Sequence, residues 1–182
     1  MMDNYRFLAR YNRWFNQRLY ACCGGLGDAT RKQDSGAFFG SIHRTLNHVL
    51  VGDQVWLQRF VQCGADHANA WPALSSAIHL PPGHKLNQPL YDDWATLQAR
   101  REVLDAAIEA WLASAPPDMA GWTMRYSNTS GTQRQHPMWQ ALTHFFNHQT
   151  HHRGQCHMIL TALGKPSITL DLVAFQRVAG QQ

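Results

Sequence analysis

The 182-residue sequence predicts an all-α fold, four principal helices joined by long crossovers with their inner faces meeting in a bundle. Three observations carry that prediction. Apolar residues recur at helical spacing in four long stretches, and the breakers Gly24-Gly25, Pro116-Pro117 and Gly164 with Pro166 follow three of them. Between the third and fourth stretches, Trp122 to His136 is patterned instead as a short irregular hairpin.

The first helix runs from Asp3 to about Cys22. Phe7, Leu8, Tyr11, Trp14, Phe15, Arg18 and Cys22 return to one face, and Gly24-Gly25 stops the helix. Its aromatic stripe reads as core. A polar stretch, Gly27 to Gly36, leads to a second helix over Phe38 to Gln62, with a broad apolar face of Phe39, Ile42, Leu46, Val49, Leu57 and Phe60. His48 lies beside that face, and Gly52 one turn on leaves space next to its ring. Asp53 projects toward the apolar side, where a carboxylate needs a partner, either an arginine as a structural pair or a histidine N–H; the arginine is the favoured expectation. His43 reads as an ordinary polar position.

Residues Asp66 to Pro89, with four prolines, carry no defensible period and read as a long surface connection, which leaves His67, His79 and His84 as poor ligand candidates. A third helix follows from Tyr91 to about Leu112, its inward positions being Trp94, Leu97, Arg101, Leu104, Ile108, Trp111 and Leu112. In the hairpin, Asn128-Thr129-Ser130-Gly131 forms the turn and the whole piece caps one end of the bundle. After the fourth helix, Asp171 to Val178 predicts a short terminal helix that packs Leu172 and Phe175 onto the body.

Composition excludes several function classes. A 45% apolar content fits one globular domain over residues 1–182. The formal charge of +4 is modest and its basic residues are scattered, so neither nucleic acid nor a membrane is an expected partner. No apolar run reaches the ~18 residues of a transmembrane helix and the N-terminus lacks a signal-peptide core, so a cytoplasmic location is expected. Cys22, Cys23, Cys63 and Cys156 form no CxxC pair, which suits a reducing compartment.

The chemistry concentrates in the fourth helix, Pro137 to Leu163, where five of the eleven histidines fall between positions 144 and 157. Pro137 suits a first helical position. At roughly 100° per residue, His148 and His152 share the inward face with Ala141, Phe145, Cys156, Ile159 and Leu163. His144 and Gln155 lie at its edge, His151 further round, and Arg153 and His157 well outside it. Two imidazoles four apart reach one metal ion, but one helix cannot complete the shell. HxxxH alone is permissive, and an inward histidine is commonly a hydrogen-bonded core residue. Of the remaining histidines, His48 is best placed to join His148 and His152, giving a tripod with an open position for water or substrate. His144 either adds a fourth ligand or lines the pocket, the second being favoured.

His48-Val-Leu-Val-Gly-Asp53-Gln-Val-Trp56-Leu, followed about a hundred residues later by His144-Phe-Phe-Asn147-His148-Gln-Thr-His-His152-Arg153-Gly154-Gln155, resembles the DinB family of the DinB/YfiT-like superfamily. Tyr11-Asn12-Arg13-Trp14-Phe15-Asn16 is similar to that family's opening. The resemblance implies a four-helix bundle, commonly a homodimer, with a divalent metal on the histidines matching His48, His148 and His152. Characterised relatives in the superfamily include thiol-dependent S-transferases and a thiol-using isomerase, and many members are described as metal-dependent hydrolases.

The expectation is therefore a metal-dependent enzyme acting on a small molecule by S-transfer or hydrolysis. Zn²⁺ or Ni²⁺ is the favoured ion, Fe²⁺ and Mn²⁺ are the others considered, and a low-molecular-weight thiol is the cosubstrate of the transfer reaction. His144, Gln155 and Tyr11 are pocket candidates. Gln149 stands where a zinc peptidase helix carries its glutamate, which disfavours that mechanism. The alternative is a non-enzymatic metal-binding sensor or stress-response dimer.

Overall fold

The computed structural model describes residues 1–128, 130–166 and 168–180; the predicted turn residue Thr129 lies outside them. The chain is mostly helical. In order it forms α1 (Met2–Gly24), α2 (Asp28–Lys32), α3 (Ile42–Asp66), α4 (Pro72–Ala77), α5 (Trp94–Ser114), a 3-10 turn (Met119–Gly121), β1 (Thr123–Ser127), β2 (Gln133–Pro137), α6 (Met138–Ala162) and α7 (Leu172–Ala179). The four long helices pack in a ring of contacts: α1 on α5, α5 on α3, α3 on α6 and α6 on α1. Leu19, Leu57, Phe60, Leu97, Leu112, Leu142 and Phe145 fill the space between them.

Several boundaries and faces differ from the sequence reading, each for a local reason. The second helix begins at Ile42, not Phe38. Gly40 adopts φ +80° and Ser41 caps the helix, its hydroxyl accepting from the N–H of Arg44. Phe38 and Phe39 therefore precede the helix. The first helix is rotated from the expected stripe: Tyr5, Asn12, Asn16, Leu19 and Cys23 are buried, while Arg18 is exposed and Cys22 half-buried. The connection from Asp66 to Pro89 is not all loop, since it holds α4. Trp71, just before α4, lies so close that a Cβ at Gly64 would sit 2.3 Å from its ring.

The hairpin is present as an antiparallel pair in the register Thr123↔Pro137 to Ser127↔Gln133. Pro137 ends β2 and is the residue before the first turn of α6. In α7, Phe175 is buried against Phe7, Tyr11 and Trp14, but Leu172 is exposed.

Arg153 is the largest departure. Expected well outside, it is buried at 1% exposure, because α6 has two buried faces, one toward α3 and one toward α1. Its guanidinium stacks 4.1 Å from the Phe15 ring, and Nη1 donates to the side-chain oxygens of Asn12 and Asn16. Asn12 and Asn16 donate in turn to Asp105, at 3.1 Å and 2.9–3.0 Å. Arg101 completes the network, donating to Asp53 at 2.5 Å and standing 2.7 Å from Asp105. Asp53 thus has the arginine partner expected of it. Two buried arginines oppose two buried aspartates, which keeps the interior network neutral.

Candidate metal centre

His48 comes from the second turn of α3; His148 and His152 come from successive turns of α6. One ring nitrogen from each lies within 4.8 Å of the others, and the Nε2 atoms of His48 and His148 are 3.2 Å apart. The ring centroids are 4.5–5.1 Å apart. His48 also faces His148 while Trp56, two turns on along α3, faces His144, one turn back along α6, so the two helices run antiparallel at the site.

The backbone and one amide decide which nitrogens point inward. Nδ1 of His48 is 2.9 Å from the carbonyl of Leu86, and Nδ1 of His152 is 2.9 Å from Oε1 of Gln155. A carbonyl oxygen only accepts, so both Nδ1 atoms carry the proton and both Nε2 atoms present lone pairs. Such outer partners fix tautomer and ring orientation at metal sites. Burial lowers the pKa of all three histidines; that of His148 falls to about 3, through burial and then the positive fields of His152 and His48. Neutral imidazoles with converging lone pairs fit a borderline cation such as Zn²⁺ or Ni²⁺, and three protein ligands leave coordination positions open.

Gly52 makes room for this arrangement, although for a different ring than the sequence suggested: a Cβ there would stand 2.9 Å from Cε1 of His148. The ring is the far end of a side chain and can turn aside. Gly52→Ala should therefore leave the melting temperature nearly unchanged while weakening Zn²⁺ affinity about 10–100-fold, the range seen when a ligand loses its positioning. Chelator competition reads this, and an unchanged affinity would contradict the packing.

Phe39 walls one side, stacked on His48 with centroids 3.9 Å apart and set edge-on to His152. The long crossover contributes Leu86, which periodicity could not reveal because a carbonyl needs no particular side chain. A larger cleft of about 650 Å³ lies beyond Phe39, between Lys32, Arg44 and Asn87, and none of the three histidines lines it.

Of the pocket candidates, Gln155 sits on the site as the acceptor for His152. His144 is exposed, its ring 5.0 Å from Trp56 and 5.8 Å from His148, outside the trio of converging nitrogens. Tyr11 is not brought to the histidines; its hydroxyl donates to the carbonyl of Leu170. His43 is buried and bonds the carbonyl of Tyr91, while His67, His79 and His84 bond local carbonyls away from the site.

A family profile described as the DinB family matches residues 1–182. The chain belongs to the DinB family. No curated protein and no solved structure shows significant similarity to it. In this DinB chain the run Asn147 to Gln155 holds a division of labour: His148 and His152 face α3, Gln155 orients His152, and Arg153 anchors α6 to α1 from the opposite side.

Proposed function

We propose that this DinB chain is a divalent-metal-dependent enzyme acting on a small molecule, with His48, His148 and His152 as the ligands and thiol-dependent S-transfer as the reaction. The observation that carries the reading is the convergence of three neutral imidazoles, joined by no carboxylate among the described residues. A divalent cation held there supplies Lewis-acid activation of a bound thiol or water, so no separate general base is needed. The chain's own residues do the rest. Leu86 and Gln155 keep the Nδ1 protons turned outward, Gly52 lets His148 enter, and Phe39 excludes water from one face of the site.

A closed, non-catalytic site would need a fourth protein ligand, His144 or His151; His144 is turned to Trp56, and Nε2 of His151 lies 3.3 Å from Nε2 of Gln155 instead. The wider reading is a four-helix bundle forming one domain and a homodimer in the cytoplasm. Free cysteines support the compartment, and the exposed Phe38 together with Leu172, Val173 and Val178 on α7 offers apolar surface for the dimer. The test is a panel of glutathione, bacillithiol, mycothiol and cysteine with a chromogenic electrophile. Turnover should require one of the thiols, vanish on chelation and return with Zn²⁺ or Ni²⁺. Metal-dependent turnover without thiol would replace S-transfer by hydrolysis, and no turnover with any thiol would refute the transferase reading.

A further inference from the structure

Where the C-terminal half of α3 meets β1, a second cleft of about 370 Å³ opens between Gln58, Arg59, Gln62, Arg125, Tyr126 and Ser127. Among the described residues two arginines line it and no carboxylate does. Arg59 is half-buried, and its guanidinium lies 4.6 Å from the ring centres of both Trp56 and Tyr126. Aromatic faces hold the plane of a guanidinium but accept nothing from its N–H edges. The one acceptor those edges have among the described residues is the Ser127 carbonyl, at a long 3.5 Å.

Four other arginines show what is missing here, whereas Arg100, Arg125 and Arg153 bond neutral carbonyl or amide oxygens. Arg101 faces two aspartates, Arg13 pairs with Glu109, Arg31 with Asp28 and Arg6 with Asp3. Asp66, further along α3, is engaged by Gln62. A planar guanidinium, stacked and with its donor edges unmatched, is a template for a carboxylate, which it can bind through two parallel hydrogen bonds.

We propose that this cleft binds the carboxylate of a small planar organic acid, Arg59 supplying the ion pair, Arg125 the rim charge and Tyr126 the flanking aromatic surface, with Trp56 backing the Arg59 guanidinium. Trp56, which backs the Arg59 guanidinium, also packs on His144, and His144 lies 5.8 Å from His148, so a chain of ring contacts connects the cleft's arginine to the histidine trio. That this acid is the substrate of the metal centre rests on the function proposed above; the anion subsite itself stands without it.

Benzoate and its neutral isostere benzamide, titrated into metal-free and zinc-loaded protein, test the proposal through calorimetry and the indole N–H resonance of Trp56. Benzoate should bind saturably in both forms and shift that resonance, with benzamide about tenfold weaker or worse. Arg59→Gln should reduce benzoate to the benzamide level while keeping its helical circular dichroism and its zinc stoichiometry. Arg125→Gln, at an exposed strand position, should weaken benzoate by only about two- to threefold. Equal binding of the two probes, or full benzoate affinity in Arg59→Gln, overturns the subsite. Benzoate binding at Arg59 in a protein that takes up no zinc would sustain the subsite and refute the metal reading instead.

Discussion

Arg101→Met should destabilise the protein by about 3–5 kcal/mol, because it strips the cation from two buried aspartates. Asp53 and Asp105 are 0% and 3% exposed, and Arg101 touches both. Arg153 cannot take over, since its guanidinium is committed to Asn12 and Asn16. Urea denaturation at neutral pH reads the loss, and a change under about 1 kcal/mol would contradict the network. The triple variant Asp53→Asn, Arg101→Met, Asp105→Asn removes both signs of charge together and should recover much of the stability.

The sign of the pH dependence gives a second check. Burial already pushes the pKa of Asp53 up to about 6, against the partial compensation of Arg101. Without Arg101 it rises further, so the native carboxyl takes up a proton more readily than the unfolded one. The deficit of Arg101→Met should therefore shrink as the pH is lowered from 7 toward 5.

His148→Ala should weaken Zn²⁺ binding by more than the roughly 10–100-fold that follows loss of an outer partner, since it removes a ligand outright. In metal-free protein the same variant should be less sensitive to acid. The folded pKa of His148 is lowered to about 3 while the unfolded ring titrates at its ordinary value. Between those values the unfolded chain holds a proton the native state lacks, so stability falls as pH falls, by about 1.4 kcal/mol per pH unit for one proton. Removing the ring takes that slope away; denaturation midpoints at pH 7 and pH 5 measure it. A variant with the parent's slope would mean that residue 148 is not the buried neutral imidazole described.

Much of this was legible in the sequence, and the parts that were not share a cause. The pairing of His148 with His152 follows from helical spacing, and the arginine partner of Asp53 from the expense of a lone buried carboxylate. Arg153 was misplaced because a helical wheel assumes one buried face, whereas α6 is covered by α3 on one side and α1 on another. The polar stripes Asn12–Asn16 on α1 and Gln149–Arg153 on α6, each four apart within apolar surroundings, were the available signal. Phe39 was assigned to a helix it precedes, since periodicity continues through a turn that Gly40 and Ser41 interrupt. Leu86 had no signal at all, because its carbonyl is the functional group.

The most direct measurement is the metal content and coordination of protein purified without a histidine tag. Elemental analysis should find one Zn²⁺ or Ni²⁺ per chain, X-ray absorption should place three imidazole nitrogens at about 2.0–2.1 Å from it, and His148→Ala should purify essentially metal-free. Parent protein that takes up no stoichiometric ion when offered zinc or nickel, or a His148→Ala variant that binds as the parent does, would contradict a metal centre at His48, His148 and His152.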